Sequence, residues 1–156
     1  MEILSASRQV TVTALEILAH NEETALFMVK GDAAREEEVR RQFAVRRENP
    51  EPGPDYEFEV APVDFFNQMQ AMELAEKRGK GRGDTATDLY LLGLLQLLSR
   101  ITSWKGFEQG GEPLPCTLDN KILVFGQALP VIQALQGKLS REQAAEEKNS
   151  GTSASG

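Results

Sequence analysis

Residues 85–104, TATDLYLLGLLQLLSRITSW, constrain this chain more than any other stretch. Leu91, Leu94, Leu95, Leu98, Ile101 and Thr102 share one face of a helix, opened by Asp84 or Thr85. Leu89, Tyr90, Leu92 and Leu97 spread around the remainder. A helix apolar on most sides must be covered from more than one direction. The spacing therefore predicts either the central helix of a small bundle or a surface that receives a partner. The longest apolar run, Leu89 to Leu98, is interrupted by Gly93 and Gln96. It falls well short of the roughly 20 apolar residues of a membrane-spanning helix, so no membrane role is expected.

Around that helix the periodicities predict an α+β fold: a small N-terminal antiparallel sheet with a C-terminal helical bundle. Tyr56, Phe58 and Val60 alternate with Glu57 and Glu59, the period of a half-buried strand. Val10 to Thr13 is rich in β-branched residues, and Ala25 to Val29 follows a polar HNEE turn, so both read as strand-like. Leu15, Ile17 and Leu18 fit a helix or a strand equally well. Asp32 reads as the N-cap of DAAREEEVRRQF, where Glu36 with Arg40 and Glu37 with Arg41 stand four apart. Mixed charge of this kind describes a solvated helix face. The Pro/Gly segment 48–55, ENPEPGPD, admits neither helix nor strand.

Further helices are expected at 63–78, 85–103, 118–136 and 140–148. Phe65, Phe66, Met69, Met72 and Leu74 supply the apolar positions of the first, and Pro130 should bend the third. Ser140 and Gln143 match a capping box for the last. From Lys148 the chain has no apolar residue beyond one alanine, so 148–156 is expected to be a disordered tail. The organisation predicted is one domain over 1–147, strand-rich over 1–62 and helical over 63–147.

Several function classes are disfavoured. A net charge of −7 argues against general nucleic-acid binding, which requires excess Lys and Arg to displace counterions. KRGKGRGD, residues 77–84, is glycine-rich and basic, but it follows a helix and lacks the GK[ST] ending of a phosphate loop. It reads as a flexible helix–helix linker. His20 is the only histidine and Cys116 the only cysteine, too few for a zinc site and without a supporting motif for a nucleophile–base pair. Cys116 reads instead as a small hydrophobe beside Leu114. No catalytic residue, metal or cofactor is expected. A single cysteine and no visible secretion signal make a soluble intracellular protein the default reading.

The stretch 103–117, SWKGFEQGGEPLPCT, holds the only Trp and the only Cys among three glycines and two prolines. Pro113 and Pro115 impose extended backbone, and Thr117 suits the N-cap of the next helix. Trp104 then reads as the pin of a structured corner that sets the angle between two helices, a role weighed against direct partner contact.

The leucine-rich helix, Trp104 and Gly106, the run Gly111 to Thr117, the helix from Leu118 and the Ser/Gly tail resemble the tail assembly chaperones of long-tailed, siphovirus-type bacteriophages. The resemblance covers the half from Thr87 onward. Cys116 departs from it, since the family usually carries an aromatic there. The resemblance implies a non-enzymatic protein of the host cell cytoplasm, absent from the mature virion. Its partners would be the tape-measure protein, which it keeps soluble, and the tail-tube protein that it helps recruit; self-association is left open. The alternative is a structural tail or head-to-tail component retained in the particle. Leu89 and Leu92 lie off the main leucine stripe and, with Trp104, are the expected partner-binding residues.

Overall fold

The computed structural model describes residues 7–50, 53, 55–78 and 85–154, with side chains at all of these except 65, 75–78, 85–89 and 146–154. The glycine-rich linker read over 77–84 lies, from residue 79, outside the described residues. The fold is α+β, with helices packed on a small antiparallel sheet.

Strands β1 (Arg8–Val12), β2 (Tyr56–Val60) and β3 (Ile101–Lys105) form that sheet with β2 at its centre, both pairings antiparallel. Val10 stands opposite Phe58, and Phe58 opposite Trp104. Alternation sends Val10, Val12, Phe58 and Val60 to the core, as the period of β2 predicts. In β3 the inward residues are Ile101 and Trp104, three apart, which simple alternation forbids. A register shift beside Glu59 and Val60 accommodates one extra residue, as a β-bulge does, and so turns both side chains inward.

The N-terminal third departs from the strand-rich reading of 1–62. Between β1 and β2 lie two helices, α1 (Ala14–Met28) and α2 (Ala33–Glu48). Thr13 and Glu16 form a capping box that resolves the ambiguity at Leu15, Ile17 and Leu18 in favour of helix. The segment 25–29, read as a strand, is the end of that helix, because Ala, Leu and Met are strong helix formers and only Val29 is β-branched. Asp32 caps α2 as expected, accepting from the Arg35 amide. The charge pairs on α2 differ in detail: Arg41 meets Glu38, and Glu36 accepts from the Gly31 amide.

Helices α3 (Phe65–Arg78) and α4 (Thr85–Arg100) form a packed pair. α4 ends three residues earlier than the period suggests, because Ile101 enters β3 without an intervening turn. The expected central helix is present: Leu94, Leu95, Leu97 and Leu98 are all buried. Full burial of each such leucine contributes about 1.5–3 kcal/mol relative to exposure.

A two-stranded hairpin follows, β4 (Glu108–Gln109) with β5 (Glu112–Pro113), so the reading of 63–147 as wholly helical is also corrected. The single helix expected over 118–136 is broken into α5 (Leu118–Gln127) and α6 (Leu129–Ala154), whose axes meet at 97°. Pro130 lies in the first turn of α6, where its missing N–H costs nothing. Ser140 does not open a new helix. α6 runs straight through it, held where Leu139 packs on the core and Lys138 bonds Thr11 and Glu16. The helical backbone continues to Ala154, through most of 148–156, the stretch expected to be a disordered tail.

Candidate functional site

Trp104 is buried on β3, not placed at a helix–helix junction. Its indole Nε1 donates to the Leu114 carbonyl at 2.7 Å, and its ring meets Phe107 edge-on at 5.0 Å. Phe107 also stacks on Tyr56 at 4.8 Å, and the Leu114 amide returns a bond to the Phe107 carbonyl at 2.9 Å. The Trp/Gly/Pro stretch is therefore a strand and hairpin folded back onto the sheet by aromatic packing and two hydrogen bonds. With 8% of its surface exposed and its one polar atom engaged, Trp104 offers little to a partner.

Cys116 is half-buried, with Sγ 3.8 Å from the Ile101 carbonyl. Burial raises its pKa, and the nearby Lys121 ammonium partly opposes that shift. Lys121 itself is buried on α5 and donates to Gln70 Oε1 at 2.8 Å across to α3. Burial pushes its pKa down, with Cys116 acting in the opposite direction. Lys121 is not among the residues expected to matter, although it shares helical spacing with Leu118 and Phe125. That position on an apolar face was the available signal.

His20 does not meet Cys116. Its Nε2 is 3.1 Å from Gln133 Oε1, and Gln133 in turn donates to the Tyr90 hydroxyl at 2.9 Å, tying α1, α6 and α4 together. Among the described residues no group of three or more His, Cys, Asp or Glu could hold a metal ion, and no single helix is long and apolar enough to cross a membrane.

What stands out is uncovered apolar surface. On α3, Phe66, Met69 and Met72 are exposed at every third position, and Val63 just ahead of the helix continues the row. Met69 and Met72 are 53% and 65% exposed, while Ala71 and Leu74 hold the same helix to the core. The sequence period places Met69 and Met72 on this helix but does not show that they face outward. Leu92 on α4 is exposed at 38%, in keeping with its place off the leucine stripe. The Leu89 side chain lies outside the described ones, so the expected pair is represented here by Leu92 alone. A second uncovered region lies on α1, which carries Leu15, Phe27 and Met28 exposed and buries no residue fully.

Comparison with known protein families, curated proteins and solved structures finds no match to this chain.

Proposed function

We propose that this protein is a phage tail assembly chaperone. It binds a helical segment of the tape-measure protein, keeps it soluble, and helps recruit tail-tube subunits in the host cytoplasm without entering the finished virion. It works by binding and not by catalysis. The residue pattern from Thr87 to the C-terminal Ser/Gly stretch motivates the family. The observation that carries the binding role is the exposed row Phe66, Met69 and Met72 on α3.

Large exposed apolar side chains grouped on one surface mark interaction sites in soluble proteins. An amphipathic helix lays its apolar face on such a row through anchors at i, i+3 and i+7 spacing. Methionine is suited to this because its unbranched thioether adapts to successive segments of a long partner. Leu92 supplies a further contact on α4, and Leu89 precedes it by three positions on the same helix.

The test is co-expression with a tape-measure protein, reading how much of the partner stays soluble and co-purifies. Met69→Glu with Met72→Glu, and separately Leu89→Glu with Leu92→Glu, should each leave the melting temperature of the protein alone nearly unchanged. At about 1–3 kcal/mol per anchor, a double change should abolish micromolar binding. If both folded double mutants solubilise the partner fully, the surface is wrong. High copy number of the protein in purified virions would overturn the chaperone role in favour of a retained tail component.

A further inference from the structure

Helices α3, α4 and α6 flank an open groove of about 290 Å³, lined by polar side chains together with Val63, Leu97 and Leu139. Its walls include Gln68 from α3, Gly93, Gln96 and Arg100 from α4, and Gln136 and Ser140 from α6. Gly93, Gln96 and Arg100 follow i, i+3, i+7 spacing, and Gln136 and Ser140 stand four apart, so two polar stripes face each other across the gap. Among the described residues the lining holds one cation and no acid, in a chain with 24 acids against 17 bases.

Two features show that the groove is built and not merely left over. Gly93 sits inside α4, where glycine costs about 1 kcal/mol relative to alanine. Among the described residues an added Cβ there would meet only Gln136 Nε2, at 3.5 Å, and none of them demands glycine. Its effect is to keep the groove floor open. Arg100 is fixed by its Nε, which donates to the Ala61 carbonyl at 2.8 Å, yet it makes no ion pair among the described residues. Arg8 lies within electrostatic reach of it, and Arg8 is already paired with Glu142. Arg100 thus holds a partly desolvated positive charge beside another cation. A bound anion would offset both effects.

The neighbouring amides narrow the class of anion. Gln68, Gln96 and Gln136 engage no other described side chain, and each offers an N–H₂ donor and a carbonyl acceptor. Phosphate would use only donors; a peptide unit uses both. A guanidinium pairs a planar carboxylate through parallel N–H bonds. The volume is at the lower end of small-ligand sites, enough for the last few residues of a chain. We propose that this groove captures the free C-terminal carboxylate of an extended peptide segment, with Arg100 pairing the carboxylate and Gln96 and Gln136 bonding the last peptide units. This site adjoins the α3 apolar row at Val63, which lines the groove, but it does not depend on the tail-assembly reading.

The experiment is an NMR titration of the full-length, isotopically labelled protein with four probes: N-acetyl-trialanine, its C-terminal carboxamide, sodium acetate and inorganic phosphate. N-acetyl-trialanine should shift the side-chain amides of Gln96 and Gln136 and the Nε–H of Arg100 saturably. The carboxamide should bind about tenfold more weakly or worse, the loss expected for one charge-assisted pair. Arg100→Gln should cost a similar factor. Ser140→Leu, on the exposed rim, should block binding without lowering the melting temperature, and it decides the matter if Arg100→Gln unfolds. Absence of saturable shifts, equal binding of the carboxamide, or unaltered binding by folded Ser140→Leu would each overturn the proposal. Acetate or phosphate binding as tightly as the peptide acid would also overturn it, reducing the groove to a general anion site.

Discussion

The indole Nε1 of Trp104 donates to the backbone carbonyl of Leu114 at 2.7 Å, joining the third strand of the sheet to the far end of the hairpin that follows it. Both residues are buried, so water cannot replace the bond if it is lost. Trp104→Phe keeps most of the ring packing but leaves the Leu114 carbonyl unpaired, and should destabilise by about 1–3 kcal/mol. Trp104→Ala also opens a cavity beside Phe58 and Phe107 and should cost about 3–5 kcal/mol. Urea denaturation of both variants checks the order. Equal stability of Trp104→Phe and the wild type would remove the hydrogen bond from the account.

Gly106, just before Phe107 in the turn after Trp104 and Lys105, has φ of +113°, a region that side chains rarely adopt. An added Cβ would stand 2.8 Å from the Tyr56 ring and 3.0 Å from the Asp55 carbonyl. Strain and overlap act together, so Gly106→Ala should destabilise by about 2–3 kcal/mol. Gly110, at φ +60° in the hairpin turn, meets nothing within 4 Å. Asparagine tolerates that conformation, so Gly110→Asn should change the melting temperature little. Thermal melts of the pair separate steric need from conformational need.

Cys116 and Lys121 should titrate against each other. Burial holds the thiol above the usual range and Lys121 partly lowers it, so alkylation of Cys116 at pH 8 should be slower than for an exposed cysteine and should accelerate at higher pH. Lys121→Met removes the opposing cation, raises the thiol further, and should slow the reaction again. The stability effect has the other sign. Burial depresses the Lys121 pKa, so its charged form costs stability below the folded pKa, and that cost fades as pH rises toward the unfolded value. Lys121→Met should therefore be neutral or stabilising at pH 7 and lose that advantage in alkaline buffer. Iodoacetamide rates and melts between pH 7 and 10 report both effects.

Gly93→Ala should raise stability by about 0.5–1 kcal/mol, because the helix gains propensity and the new methyl makes only ordinary contact with Gln136. Chemical denaturation measures it. A loss of stability would mean that the backbone of α4 needs glycine for a reason other than an open groove.

Legibility in the sequence followed the strength of local patterns. Tyr56 to Val60 and the leucines of α4 declare themselves because one face of each is buried and the period is clean. α1 did not, because a helix with no fully buried residue shows no stripe to read. β3 was hidden twice: it continues directly from a helix, and its bulge places Ile101 and Trp104 at a spacing that resembles helical periodicity. The break at Ala128 was foreshadowed by Pro130, but its right angle depends on tertiary packing. At the candidate surfaces, Leu92 was legible as an off-stripe leucine. Met69 and Met72 were not, since a sequence period says which residues share a face and not which face is covered. The polar groove was invisible for the same reason. Gln96, Arg100 and Gln136 become a site only when α4 and α6 bring them opposite each other.

The central place of β2 has a consequence for biosynthesis. Its hydrogen bonds on one side go to β1, made earlier, and on the other to β3, made some forty residues later. While the ribosome is still producing α3 and α4, β2 presents an open edge, and the inner faces of Phe58 and Val60 lack their cover from Trp104 and Ile101. Pairing across so long a separation is slow to close. A nascent chain halted before residue 101 would thus expose a sticky two-stranded ribbon. The step that ends this vulnerability is the emergence of Ile101–Lys105 from the exit tunnel.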